Sequence, residues 1–286
     1  MPADTAADDF LCLESSGGLF NLSDSVKLRL SGPDAERYLN GQVTQDVRRI
    51  PKGGSLPGCV CTHKGKLEAL VQISRSGCGA FLISADVALR DFLPLRMEKY
   101  LIADDALLED VTEEFAIVHA LAPYPAPDGM AFTSSRLAAP GHDVWMPHGS
   151  AETLPLAPSE AVGALRIFRG VPSWADELAD GILPPEAGLE DACIDYHKGC
   201  YTGQEVISRL RSVGRVNRQL RRITAPEGQR LERGWEVYND EGSVGTITSA
   251  AWHPVQKVAV ALGFLKRTAA GNLTAGLGRI KVHTAN

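Results

Sequence analysis

Residues 198–205 read Lys198-Gly199-Cys200-Tyr201-Thr202-Gly203-Gln204-Glu205, followed by Val206-Ile207-Ser208-Arg209-Leu210. Thr202 and Glu205 have the spacing of a capping box, in which the threonine oxygen takes the amide three residues on and the glutamate reaches back to the cap amide. A helix is therefore expected to begin at Thr202. Cys200 then lies just ahead of a helix N-terminus, where unpaired amides and the dipole favour an anion, and Lys198 adds a cation nearby. Those are conditions that lower a thiol pKa below its free value of about 8.5. Of the six cysteines only this one has such surroundings in sequence. The competing reading makes Cys200 a small apolar filler beside a glycine turn, and local sequence leaves both open.

Immediately downstream, Arg209, Arg211, Arg215, Arg218, Arg221 and Arg222 fall within fourteen residues that contain no acid. Such a run is either a solvated face or an anion site, because arginine presents a fixed fork of donors to carboxylate or phosphate. Cys59 and Cys61 alternate within an expected strand and read as packing rather than as metal ligands. Cys12, Cys78 and Cys193 offer nothing beyond packing or surface placement. The seven histidines form no HExxH or similar pair, and there is no GxGxxG or GxxxxGK[ST] stretch, so no metal site and neither familiar nucleotide loop is expected. The acids Asp104, Asp105, Glu109, Asp110, Glu113 and Glu114 read as an exposed strand and turn.

Upstream, Val26, Leu28 and Leu30 alternate with Lys27, Arg29 and Ser31, the period of a half-buried strand. Pro33 suits the first turn of a helix through Ala35, Tyr38 and Leu39, closed by Gly41. Strands are expected near 58–63, 66–73 and 79–84. Asp86 caps a helical stretch to about Tyr100 that Pro94 should kink or split. A strand pair follows near 106–112 and 115–121. Seven of the 17 prolines lie between Leu121 and Glu160, which predicts mostly loop with one short strand at Val144-Trp145-Met146. Ser159 can cap a helix through Leu165 and Phe168 that stops near Gly170. From Arg218 onward the pattern is strands: Leu220–Ile223, Trp235–Tyr238, Val244–Ser249, Val258–Leu265 and Ile280–His283, the signal of a small antiparallel barrel or sandwich.

At 286 residues, 44% of them apolar, the chain is long enough for two or three cored domains and too apolar to be disordered. No apolar run approaches a membrane span, the start MPADTAADDF has acids where a signal peptide needs lysines, and six cysteines are too few for a disulfide scaffold. The expected location is the cytoplasm, with reduced thiols. A net charge of −6 argues against nucleic acid as the main partner.

The block KGCYTGQE resembles the YgfZ family of folate-binding proteins, relatives of the glycine-cleavage T protein. The resemblance extends to LRLSGPDAERYLNGQVTQDV at 28–47, KGKLEAL at 64–70, RMEKYLIADDALLEDVTEEFA at 96–116, LRIFRGVP at 165–172, PPEAGLE at 184–190 and GTITSAAWHP at 245–254, in the order the family shows. It implies an α+β fold in which two intertwined, ferredoxin-like parts surround a central pocket and an antiparallel β-barrel follows. The expected boundaries are 1–112, 113–212 (carrying the motif and interdigitating with the first part) and 213–286.

By resemblance the ligand is tetrahydrofolate or a derivative, and the role is support of iron–sulfur cluster assembly or repair, including that of tRNA-modifying enzymes. The family's signature lysine and cysteine fall on Lys198 and Cys200, its glycine, glutamine and glutamate on Gly203, Gln204 and Glu205. Lys198 and Cys200 are the catalytic candidates. Tyr201, Gln204, Glu205, Arg209, Arg215, Arg218 and Arg166 are the folate-binding ones. The expected partners are folate and iron–sulfur assembly or client proteins, with no membrane, for a chain acting as a monomer. T proteins carry an Asp-Asp pair where this chain has Glu68-Ala69, and an Arg-x-Glu-x-Gly pattern where it has Arg166-Ile167-Phe168-Arg169-Gly170. Both departures weigh against the first alternative, a folate-dependent aminomethyltransferase. The second alternative is a noncatalytic RNA or protein adaptor using the arginine run.

Overall fold

The computed structural model describes residues 3–121, 129–212 and 214–285. They fall into two compact units, one of Gly17–Leu156 with Leu189–Gly214, the other of Met1–Ser16, Ala157–Gly188 and Arg215–Asn286. The acid-rich N-terminus forms a helix, α1 (Ala3–Ser16), which buries Phe10 and Leu13. After β1 (Leu19–Asn21) comes β2 (Val26–Ser31), whose Val26, Leu28 and Leu30 are fully buried, as their alternation predicts. The helix expected after Pro33 is α2 (Ala35–Gln42), with Tyr38 and Leu39 on its buried face. β3 (Ser55–Cys61), β4 (Leu67–Arg75) and β5 (Phe81–Ala85) then pair antiparallel in succession.

Asp86 accepts the Ala88 amide at 2.9 Å and opens only a single 3-10 turn, Val87–Leu89. Pro94 sits in the first turn of a separate helix, α3 (Leu93–Glu98), so the stretch is split there. β6 (Leu107–Asp110) and β7 (Phe115–Ala120) occupy the expected positions, followed by β8 (Met130–Ser134) and β9 (Gly141–Pro147). Two expectations fail here. β6 and β7 do not pair with each other, since β6 adds to β2 while β7 lies between β1 and β9. The proline-rich stretch holds two strands rather than one short one, because Pro140 and Pro147 stand at strand ends where no ladder amide is needed. Pro123, Pro125 and Pro127 lie outside the described residues.

The chain thus weaves two sheets within one unit, β3-β4-β5-β2-β6 and β1-β7-β9-β8. Leu82 of the first packs with Ile117, Phe132 and Trp145 of the second, while Ala116, Val118, Val144 and Met146 of alternate register fill a core on the far face. The helices α5 (Glu190–Cys193) and α6 (Gln204–Ser212) return to this unit after α4 (Ser159–Phe168), which belongs to the other. Pro158 rather than Ser159 occupies the cap position of α4, with no side-chain cap bond.

In the second unit β10 (Arg218–Thr224), β11 (Glu236–Asn239), β12 (Gly242–His253), β13 (Val258–Lys266), β14 (Leu273–Ala275) and β15 (Ile280–Ala285) close a barrel in the order β10-β13-β12-β11-β14-β15, all antiparallel. Only the short β14 lacked a signal in sequence. Ile223, Val237, Ile247, Ala261, Leu265 and Val282 fill the interior. A register shift between Ile247 and Ser249 brings two adjacent hydroxyls, those of Thr248 and Ser249, onto one Glu177 oxygen at 2.8 and 2.6 Å. A regular strand would have pointed them to opposite faces. Among the described residues no helix is long and apolar enough to cross a membrane.

Candidate functional site

Lys198 is 6% exposed, and its ammonium donates to three backbone carbonyls, Asn40 at 2.6 Å and Val43 and Gln45 at 2.7 Å each. Three acceptors match the three N–H bonds of a charged ammonium. Burial opposes that charge and pushes the lysine down to about 7, with Asp46 pulling it back up. The same remote segment holds the chain just upstream: the Thr44 hydroxyl donates to the Cys193 carbonyl at 2.6 Å and receives the Cys59 amide, and the Asp195 amide reaches the Thr44 carbonyl. Arg49 donates to the Asp195 carboxylate at 2.7 Å and lowers its pKa, helped by the His197 amide. Lys198 therefore fastens the motif to residues 40–45 rather than serving as a cation free to face the thiol.

Cys200 is exposed two residues later. Tyr201 turns inward, with Lys198 Nζ 5.1 Å from its ring centre. Its hydroxyl is buried with no hydrogen-bond partner, and burial pushes its pKa up. The expected capping box is not formed. Helix α6 starts at Gln204, the Thr202 amide donates to the Gly41 carbonyl, and Glu205 pairs with Arg209 at 3.1 Å. The box is displaced by a close backbone approach: Gly203, at φ 89°, lies against the turn Thr62–Lys66, and a Cβ on it would sit 2.6 Å from the Thr62 carbonyl and 3.1 Å from Gly65 Cα. Gly65, itself at φ 70°, faces Val206 and Ile207. The blocks KGKLEAL and KGCYTGQE thus meet through two glycines that each need a left-handed conformation.

The other cysteines sort by burial. Cys59, Cys61 and Cys193 are buried, and burial raises Cys61 to about 12; contact with Cys193, together with burial, raises Cys59. Cys78 was passed over in sequence, yet its exposed thiol lies 3.1 Å from the Ser76 hydroxyl, which together with the Ala80 amide lowers its pKa. A hydroxyl two residues before a cysteine in a glycine turn was the available signal.

Gln204 opens α6, and Glu205 and Arg209 are both exposed on it. The arginine run is divided between the units, with Arg209 and Arg211 in one and Arg215 onward in the other. Arg215 is exposed; Arg218 lies over the Phe264 ring at 4.7 Å and pairs with Glu186 at 3.5 Å. Arg166 is bound within its unit, donating to Glu177 at 2.8 Å and to Asp176. Glu68 accepts from Arg96 Nε at 2.7 Å, and the same guanidinium reaches Gln42 and the Cys61 carbonyl. Residues just before the motif, unremarked in sequence, line a groove of about 660 Å3 that includes Gln45, Arg49, Asp195, Tyr196, His197 and Arg211. Arg211 stacks on Tyr196 at 4.0 Å.

No family model matches the chain. It is 27% identical over 265 residues to the tRNA-modifying protein YgfZ of Klebsiella pneumoniae, covering 81% of this chain and 80% of that protein. With the Escherichia coli (strain SMS-3-5 / SECEC) protein of the same name the identity is 26% over 267 residues, and the coverage is again 81% and 80%. An aminomethyltransferase of Rubrobacter xylanophilus is 25% identical over 289 residues, 88% of this chain and 77% of that one. Among solved structures, the glycine cleavage system aminomethyltransferase T of Bartonella henselae superposes with a TM-score of 0.81 at 15% identity, covering 98% of this chain and 87% of the other. The chain is thus similar over most of its length to proteins named YgfZ and has the fold of the glycine cleavage aminomethyltransferase T.

Proposed function

We propose that this protein binds a reduced folate and, through the Cys200 thiol, supports iron–sulfur proteins, among them enzymes that modify tRNA. The observation that carries the reading is the exposed thiol two residues beyond a lysine fastened to three carbonyls of a remote segment. That arrangement presents a nucleophile on an ordered loop, which a packing cysteine does not require. The similarity to proteins named tRNA-modifying supports the cellular role.

Tetrahydrofolate, when bound, supplies a carrier for one-carbon units. The orphaned Tyr201 hydroxyl fits such a ligand, since a buried hydroxyl without a partner costs about 1–3 kcal/mol that a polar ligand atom restores. Tyr201 and Gln204 would hold the ring, and the exposed Arg209, in the same unit, would take the carboxylate tail; Arg215 and Arg218 belong to the other unit. Arg166 drops out, its guanidinium being neutralised by Asp176 and Glu177. Aminomethyl transfer is the weaker reading: Glu68, which with Ala69 stands in place of the aspartate pair, is held by Arg96.

Calorimetric titration with tetrahydrofolate tests the ligand, and rescue of iron–sulfur enzyme activity in cells lacking their own such protein tests the thiol. Binding without turnover of an aminomethyl donor, and loss of rescue in a Cys200→Ala variant that still folds, are expected. No binding at millimolar folate defeats the ligand assignment, and full rescue by Cys200→Ala defeats the thiol's role.

A further inference from the structure

Nine large apolar side chains are exposed among the described residues, and six of them, Val87, Phe92, Leu95, Tyr100, Ile102 and Leu107, lie in one stretch of twenty-one residues. Leu95 is 67% and Ile102 90% exposed. Within that stretch α3 packs on β6, and its inward face, Leu93, Arg96 and Met97, is buried. Among the described residues no element covers Leu95 on the outward face of α3 or Tyr100 and Ile102 after it. Scattered single apolar residues on a surface need no explanation, but a contiguous group marks an interaction site.

The surroundings are predominantly acidic. Residues 86–114 hold nine acids against three bases, a net of −6 that equals the net charge of the whole chain. Of the three bases, Arg96 is buried on Glu68, Arg90 is engaged by Asp110 and Glu113, and the exposed Lys99 lies over the Tyr100 ring at 5.4 Å. Asp86, Asp91, Glu98 and Asp105 are exposed and form no ion pair among the described residues. Pairing of a strand onto the open edge of β6 is disfavoured, since that strand is four residues long and ends in Glu109 and Asp110. What remains is a run of exposed apolar helical and loop residues interspersed with carboxylates that form no ion pair among the described residues.

We infer that the surface formed by Phe92, Leu95, Tyr100 and Ile102 docks a basic amphipathic helix of a partner protein. The helix lays its apolar face on these four side chains, and its lysines or arginines meet Asp91, Glu98 and Asp105 around them. The inference is independent of folate and of Cys200, so either can fail without the other.

A fluorescent synthetic peptide of leucines and lysines at amphipathic helical spacing is the probe, with a leucine–glutamate peptide of the same pattern as control. Anisotropy is expected to show binding of the basic peptide alone, weakened by added salt and reduced about tenfold or more in a Leu95→Glu, Ile102→Glu double variant. Leu277→Glu, at the fully exposed Leu277, should leave binding unchanged. Circular dichroism checks that the variants fold, which surface positions permit. Equal binding of both peptides, or undiminished binding to the double variant, overturns the inference. So does a concentration-dependent dimer, seen by sedimentation, that the double variant abolishes, because a second copy of the chain then covers the surface.

Discussion

Two lysines in the same unit are buried in the same way and do different work. Lys27 on β2 is fully buried and donates to the carbonyls of Ser23, Ser25 and Thr112 at 2.6, 2.9 and 3.2 Å, two of them within four residues of itself. Lys198 donates to three carbonyls that lie 153 to 158 residues away. Lys27 closes turns beside its own strand, whereas Lys198 joins distant parts of the chain and sets the loop that exposes Cys200. Burial lowers the pKa of both. The comparison teaches that a buried ammonium on carbonyls is a structural device, and that its functional weight comes from what the adjoining residues display.

The largest effect that would break the comparison is removal of either ammonium. Lys198→Ala and Lys27→Ala should each cost about 3 kcal/mol or more in denaturant unfolding, because buried carbonyls lose their donor. Only the first should change the rate at which Cys200 is alkylated. Equal changes at Cys200 in both variants would reduce Lys198 to a second Lys27.

Next in size is the glycine contact. Gly203→Ala should cost about 2–3 kcal/mol, from the left-handed conformation and the Thr62 carbonyl 2.6 Å from the new Cβ. Gly199→Ala, with open space around it, should stay within about 0.5 kcal/mol. Similar costs would mean that the 65–203 approach is not what seats α6.

The pH dependence sharpens the comparison further. Lys198 titrates near 7 when folded and near 10.5 when unfolded, so between those values the unfolded chain binds more protons and stability rises with pH from this group. Unfolding measured from pH 7 to 10 should show a shallower rise in Lys198→Met. An unchanged slope would mean that the three carbonyls keep the ammonium charged against its burial.

The smallest effects concern thiols and the cap. Brief alkylation of the native protein should label the exposed Cys12, Cys78 and Cys200 and spare Cys59, Cys61 and Cys193, with Ser76→Ala slowing Cys78 alone. Peptide mapping reads the result. Thr202→Ala should change stability by less than about 0.5 kcal/mol, since no capping box is present; a loss near 1 kcal/mol would restore the box.

Much of the fold is legible because its signals are local. The alternation at Val26, Leu28 and Leu30, the split at Pro94 and the strand run after Arg218 each record how a few neighbouring residues meet a core. The proline-rich stretch misleads because prolines count as breakers wherever they fall, while Pro140 and Pro147 occupy strand ends. In the site, the surroundings of Cys200 single it out in sequence while its exposure is decided by the fold, and the capping box is a local fit that a tertiary contact overrides.

By itself the sequence determined most of the strands, the all-β character of the end of the chain and the choice of residues 198–205 as the candidate site. Only the tertiary structure decided where the Lys198 ammonium points, that Arg166 and Glu68 are neutralised by partners of opposite charge, and that Cys78 rather than Cys61 has a hydroxyl beside it. The physical reason is that hydrophobic periodicity is written in adjacent residues, whereas a buried charge or an unpaired hydroxyl is defined by whichever distant carbonyl, carboxylate or guanidinium the folded chain brings to it.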